Sequence, residues 1–187
     1  MVLVMPELTH LADLIANLDD QGLIQDQLDQ IYSVFRQHFE IDGVLVDGSR
    51  LKIYLKKSNI SQFRNKPETF VHIVTRDAKG SGYRSFDKAR ANKIHWIKPI
   101  LVNCIDSRIH VFDRSHDKTG KPQRYFWFKN KDFVVILRNY HQDNFLVTAF
   151  CVDPMTARKY QKWHQQGACN KKPHIMCGAR SLGTATE

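Results

Sequence analysis

The sequence predicts an α+β fold, with N-terminal helices followed by an antiparallel meander β-sheet and one inserted helix. Three observations carry this. The runs YFWFK (125–129), DFVVILR (132–138) and FLVTAFCV (145–152) are rich in aromatic and β-branched residues, and only short polar gaps separate them. Such runs read as strands, and connections this short make neighbours antiparallel. Near the N-terminus, Leu8, Leu11, Ile15 and Leu18, then Ile24, Leu28, Ile31, Phe35 and Phe39, recur at helical spacing. The order of the runs is helices, hairpin, strand, helix and four strands, which segregates helices from sheet.

Taken in order, the chain starts with two acidic helices separated by Asp19, Asp20 and Gly22. Their apolar faces are expected to cover the sheet. Asp47-Gly48 is a hairpin turn between Val44–Val46 and Leu51–Leu55. A basic link ending at Pro67 leads to a strand over 69–76, on which alternation puts Phe70, His72, Val74 and Arg76 on one face. After the glycine loop at 79–82 a helix follows, with Arg90, Ile94, Ile97 and Leu101 on one side, His95 and Lys98 on another, and Pro99 as a kink or stop. Residues 109–113 form the first strand of the final four, and residues 155–164 have helical character.

A chain of 187 residues, 42% of them hydrophobic, is long enough for one well-buried core. We expect one domain with embellished ends: an acidic helical segment at 1–47 packing on the body, the core at 48–160, and a basic, flexible tail at 161–187. No apolar run reaches the roughly 20 residues that span a bilayer, and the N-terminus lacks a signal-like pattern. A soluble, cytoplasmic protein with no membrane partner is expected. The four cysteines are scattered and do not suggest a disulfide framework.

Charge is unevenly placed. Residues 1–47 hold nine acidic residues and one basic residue, a net −8, whereas the remainder holds 27 Lys and Arg against 10 Asp and Glu, a net +17. A body this basic faces a polyanion, with nucleic acid, above all RNA, the first candidate partner. Solvated lysines are the plainer alternative. The acidic segment is then placed to shield a phosphate-binding surface.

Walker, dinucleotide-binding, serine-elbow and HExxH signatures are absent. Carboxylates in the basic body are too scattered to suggest the clustered ligands of a two-metal nuclease, and no cofactor is expected. One weak metal pattern is His164, Cys169, His174 and Cys177, whose spacing resembles a zinc knuckle read backwards; a tail with incidental Cys and His is the alternative. The remaining chemistry is His, Arg, Tyr and Thr on a sheet, which suits metal-free RNA cleavage: the 2′-hydroxyl attacks phosphorus, histidine transfers protons and arginine forks bind phosphate. His72 with Arg76, Arg124 leading its strand, and Thr148 are the candidates. A half-buried strand histidine and a space-filling threonine are the competing readings. Tyr125 is either core or a base-stacking platform.

The strand carrying HIVTR, the helix FDKARANKIHWIKPIL and the meander with RYFW, DFVVILR and LVTAF together resemble the phage-encoded members of the barnase, EndoU, colicin and RelE-like (BECR) nuclease superfamily. The resemblance covers about residues 69–153. It implies a metal-independent endoribonuclease of phage or mobile-element origin, acting as a toxin or effector, with an antitoxin or immunity protein as partner. It further implies catalytic roles for His72, Arg90 and Thr148, with Arg124 as a further catalytic candidate and Arg76, His95 and Tyr125 as substrate-binding candidates. The acidic general base of the barnase branch has no counterpart, so histidine takes one proton-transfer role. A non-catalytic nucleic-acid-binding protein of phage origin is the alternative.

Overall fold

The computed structural model describes residues 8, 11–18, 25–77, 83–116, 119–140 and 143–170, with side chains to residue 167. Its centre is a four-stranded antiparallel meander, β5 (Ile109–Ser115), β6 (Pro122–Phe128), β7 (Phe133–Tyr140) and β8 (Asp143–Cys151), paired in chain order. The three aromatic and β-branched runs are strands β6 to β8. The fold is α+β, as the pattern predicts.

Both faces of the meander are covered, and its alternation sorts residues between two cores. Phe126, Phe128, Phe133, Val135 and Leu137 face a large cluster with Leu28, Ile31 and Phe35 of α1 (Gln25–Phe35) and Phe70 and Ile73 of α2 (Glu68–Val74). Tyr125, Trp127, Val134 and Ile136 face a smaller cluster with Phe112 and Tyr160, the latter from α5 (Pro154–Asn170). Coverage on both sides explains why β7 is buried at five successive positions rather than alternating with solvent.

α1 continues as a π-helical stretch, Arg36–Asp42, to Gly43. Upstream, residues 11–18 are an irregular strap with bends and a turn rather than a helix. Its backbone pairs with Asn92 instead of with itself: Leu14 N donates to the Asn92 carbonyl at 3.0 Å, Ile15 N donates to Asn92 Oδ1 at 2.7 Å, and Asn92 Nδ2 donates to the Ile15 carbonyl at 2.9 Å. Leu18 is fully buried, so the strap is held by packing as well.

The Asp-Gly hairpin is present but short, as β1 (Leu45–Val46) and β2 (Ser49–Arg50), with Asp47 at φ 52° and Gly48 at φ 77°. These positive angles are those of the turn whose twist matches paired strands. The chain then runs beside β8, where Lys52 N donates to the Asn144 carbonyl at 2.8 Å and Leu146 N donates to the Lys52 carbonyl at 2.9 Å, covering part of that edge.

The strand expected over 69–76 is a correction. Residues 68–74 form helix α2, and only Thr75–Asp77 is a strand, β3, paired with β4 (Arg84–Phe86). Pro67 immediately precedes the helix, where its lack of an N–H costs nothing. Thr69, Phe70, Val71, Ile73 and Val74 are all buried, so the segment carries no polar stripe by which a helix is recognised.

Asp87 caps α3 (Lys88–Ala91) by accepting from Arg90 N. A 3-10 turn at Ile94–Trp96 joins it to α4 (Ile97–Val102). Pro99 falls in the first turn of α4, where its missing donor would have had no partner in any case, so it neither kinks nor stops the helix. α5 runs unbroken past residue 160, so its first ten tail residues, 161–170, are helical rather than flexible. Cys151 is a free thiol, whereas Cys104 is disulfide-bonded, a bond that the scattered spacing of the cysteines did not suggest.

Candidate functional site

The β3–β4 hairpin gathers cations around one residue, Thr75. Its hydroxyl donates to the Val71 carbonyl at 2.5 Å, closing the last turn of α2, and accepts from Arg84 Nε at 2.7 Å. Arg84 Nη2 donates to the Thr75 carbonyl at 3.1 Å and, more weakly, to the His72 carbonyl at 3.4 Å. Arg90, one helix away, donates from Nη1 to the same Thr75 carbonyl at 3.1 Å. Two guanidinium groups therefore share one carbonyl oxygen.

Arg90 is fixed from its other side by Asp87, Nε to Oδ2 at 3.2 Å, and lies over the Phe150 ring at 5.1 Å. Arg84 and Arg76 are near enough to disfavour its charge, although burial does so more. Arg76, on β3, is exposed and has no hydrogen-bond or ion-pair partner among the described residues. It opens onto a cleft of about 450 Å³ that is also lined by Asp13, Asp87, Lys88 and Lys93. Three cations against two carboxylates leave the cleft a small positive excess, and with Lys93 held by Asp13, Arg76 is a cation open to an incoming anion.

His72 is the one exposed residue between buried neighbours on α2. Desolvation by the packed body beneath it, then the Arg84 guanidinium, hold the imidazole below its ordinary value, against a smaller opposing pull from Glu68. The ring is thus neutral at physiological pH and able to accept a proton. His72 reaches the surface from a helix rather than from a strand.

The remaining candidates lie elsewhere. Arg124 is clamped between two carboxylates, with Nε donating to Asp113 Oδ1 at 2.8 Å and Nη1 donating to Asp47 Oδ2. That ties β6 to β5 and to the Asp-Gly turn and leaves no guanidinium edge for substrate comparable to that of Arg76. Tyr125 is buried, stacked on Phe112 at 5.1 Å, with its hydroxyl donating to Gln123 Oε1 at 3.1 Å. It is a core residue under α5 rather than an open platform for a base. Thr148 pairs with Ile136 across a bulge that leaves Val147 unopposed. Cross-strand partners share a face, so Thr148 lies on the α5 side of the sheet. His95 sits edge-on to Trp96 at 6.3 Å, its Nδ1 buried without a partner and its pKa lowered by burial.

The structure puts Arg90 near Arg76 and, through the Thr75 carbonyl, beside Arg84, and it puts His72 beside Arg84. Thr75, Arg84, Lys88 and Lys93 are residues of this region that the sequence analysis did not name as candidates. The signal for Arg84 was present: it is the second residue of the YRSF run that follows the glycine loop, where a hairpin partner for HIVTR would begin.

Among the described residues, no group of three or more His, Cys, Asp or Glu is placed to hold a metal ion. His164 stacks on His110 at 4.1 Å, while the side chain of Cys169 and residues His174 and Cys177 lie outside the described residues. No described helix is long and apolar enough to cross a membrane. No family model, no curated protein and no solved structure matches this chain.

Proposed function

We propose that this chain is a metal-independent ribonuclease that cleaves RNA by attack of the ribose 2′-hydroxyl on the adjacent phosphorus. The observation that carries this reading is the exposed imidazole of His72 beside Arg84, with Arg84 and Arg90 sharing the Thr75 carbonyl and Arg76 at the cleft with no side-chain partner among the described residues. His72 takes the 2′-hydroxyl proton as the 2′-oxygen bonds to phosphorus. The bond from phosphorus to the 5′-oxygen breaks and leaves a 2′,3′-cyclic phosphate. Water protonates the departing 5′-oxygen, and the hydroxide formed takes the proton from His72. Arg76 and Arg90 face the charge that accumulates on the phosphate oxygens, and Arg84 holds the hairpin that presents them.

The purified protein is expected to cleave RNA in the presence of EDTA, leaving a cyclic phosphate end. His72→Ala should lower the rate by 10²-fold or more, on the order of what a general base contributes, while RNA binding persists. In a bacterial host the wild-type chain should slow growth and degrade RNA, as a toxin or effector would, and His72→Ala should not.

A second reading is a non-catalytic nucleic-acid-binding protein. It is favoured by the placement of Arg124 and Thr148, one held by two carboxylates and the other on the sheet face opposite the large core. Binding that weakens steeply with salt, with no product from any RNA, would select it over the first.

A further inference from the structure

The chain between β2 and α2 is basic and closes against α2. Residues 49–67 contain six Lys and Arg and no Asp or Glu. Lys52, Lys56 and Lys66 meet the carboxylates of Asp143, Glu68 and Asp29, whereas Lys57 and Arg64 are exposed and have no ion-pair partner among the described residues. Within this stretch Leu51 is buried and Ile53 packs against the large core. Tyr54, the next residue, is 43% exposed.

Tyr54 is nevertheless held in place. Its N–H donates to Thr69 Oγ1 at 2.8 Å, and two residues on the Lys56 carbonyl accepts from Glu68 N at 2.8 Å. Its ring stacks on Phe145 of β8, with centroids 5.2 Å apart and planes 24° from parallel. Phe145 is half-buried, and Lys52 Nζ lies 6.0 Å from its centroid. The Tyr54 hydroxyl makes no hydrogen bond among the described residues, so no polar contact accounts for the exposure of the ring. A fixed aromatic ring with one face stacked and the rest open can extend that stack with another flat π-system.

α2 sets where the pair sits. Glu68 and Thr69, which anchor Lys56 and Tyr54, form the first turn of the helix, and His72 follows on the next turn. Glu68 and His72 are four residues apart and therefore neighbours on the helix surface, about 5.4 Å apart along its axis. A base on Tyr54 thus belongs to a nucleotide close to the phosphate that His72 meets.

We propose that the Tyr54–Phe145 pair is a stacking platform for a nucleobase of single-stranded RNA next to the scissile phosphate, with purines favoured. The inference rests on RNA being the substrate and assigns a base subsite to the His72 site. Preference follows from stacking strength, which is greater for the larger ring system of a purine. Lys57, in the same stretch, adds attraction for the backbone.

The test uses the full chain with Tyr54→Leu, which removes the ring, and Tyr54→Phe, which keeps it. The probe is a short single-stranded 2′-O-methyl RNA with 2-aminopurine among uridines; the methyl group blocks attack, and stacking quenches the fluorophore. Wild type and Tyr54→Phe should quench it. Tyr54→Leu should lose the quench and bind about tenfold more weakly, the size of one base–aromatic stack, while the slope of log affinity against log salt stays as in wild type, because a stack releases no counterions. In cleavage of purine-containing dinucleoside phosphates, KM should rise in Tyr54→Leu with kcat near wild type. The inference is overturned if Tyr54→Leu, folded by circular dichroism, keeps the wild-type quench and affinity, or if Tyr54→Phe loses as much as Tyr54→Leu. It is also overturned if the salt slope falls together with the affinity, which would assign the loss to a phosphate contact. In each of those cases RNA cleavage by the wild type keeps the ribonuclease reading standing. A wild type that binds and quenches the probe but cleaves no RNA keeps the platform and removes the ribonuclease reading, and one that neither cleaves nor binds RNA removes both.

Discussion

Arg84 places one guanidinium on three oxygens, the hydroxyl and carbonyl of Thr75 and the carbonyl of His72. Those contacts join the end of α2 to the β3–β4 hairpin, so the arginine acts both as scaffold and as neighbour of the imidazole. Arg84→Lys keeps the charge but cannot reproduce the fork. It is expected to lower stability by about 1–3 kcal/mol, in the range for breaking partly buried polar contacts, and to lower cleavage as well; urea melts and rate measurements read the two effects separately. Thr75→Val keeps the side-chain volume and removes both the donor to Val71 and the acceptor for Arg84 Nε, so it should show the stability loss with a smaller change in rate.

Histidine titration sets a second expectation at this scale. His38, His95 and His110 each bury an Nδ1 with no hydrogen-bond partner, and burial lowers the pKa of each. The folded state therefore takes up protons less readily than the unfolded chain, whose imidazoles titrate near about 6.5. Stability is full above that value and falls as pH drops through it toward the depressed folded values. Urea midpoints should decline between about pH 7.5 and about pH 5.5. His110→Phe, which removes the stacked partner of His164, should flatten part of that decline.

At the scale of elements, β7 is the spine of both cores. Phe133, Val135 and Leu137 face the large cluster and Val134 and Ile136 the small one. Leu137 is fully buried beside the bulge, so Leu137→Ala should cost about 2–5 kcal/mol through lost burial and a residual cavity, measurable by thermal or urea unfolding. Helix α2 and strand β8 show how much of each element the chain reveals locally. β8 was legible because its β-branched and aromatic residues lie between short polar gaps. Its face assignment was not, because the bulge at Val147 changes which side Thr148 occupies. α2 was misread because Phe70, Val71, Ile73 and Val74 are β-branched or aromatic and all buried, a pattern shared by an inner strand and a wrapped helix.

Across the whole molecule, the charge asymmetry of the sequence becomes a set of long-range ion pairs. Asp13, Asp29, Asp42 and Asp47 reach Lys93, Lys66, Lys98 and Arg124, respectively. Asp13 and Lys93 both line the cleft beside Arg76, so the strap puts a carboxylate where a phosphate would bind. Deleting residues 1–42 is too coarse a test of that shielding, because it would remove Leu28, Ile31 and Phe35, which are fully buried in the core. Asp13→Asn keeps the strap and frees Lys93. RNA affinity at low salt should rise a few-fold, with the gain shrinking as salt screens the site; unchanged affinity would remove the shielding idea.

The sequence by itself determined the α+β class, the four-stranded meander, the Asp-Gly hairpin, the helix at 25–35 and the segregation of charge. Each of these is written in neighbouring residues, through the two-residue repeat of a pleat, the turn preference of Asp-Gly or a count of charges. Tertiary structure decided that His72 is presented by a helix, that Arg84 and Arg90 meet on the Thr75 carbonyl, and that Arg124 and Tyr125 serve the scaffold. It also decided that Arg158, Lys159 and Lys162 lie exposed along α5. Those outcomes depend on which segments pack together, and residues brought into contact from 9 to 77 positions apart in the chain leave no periodic trace in it.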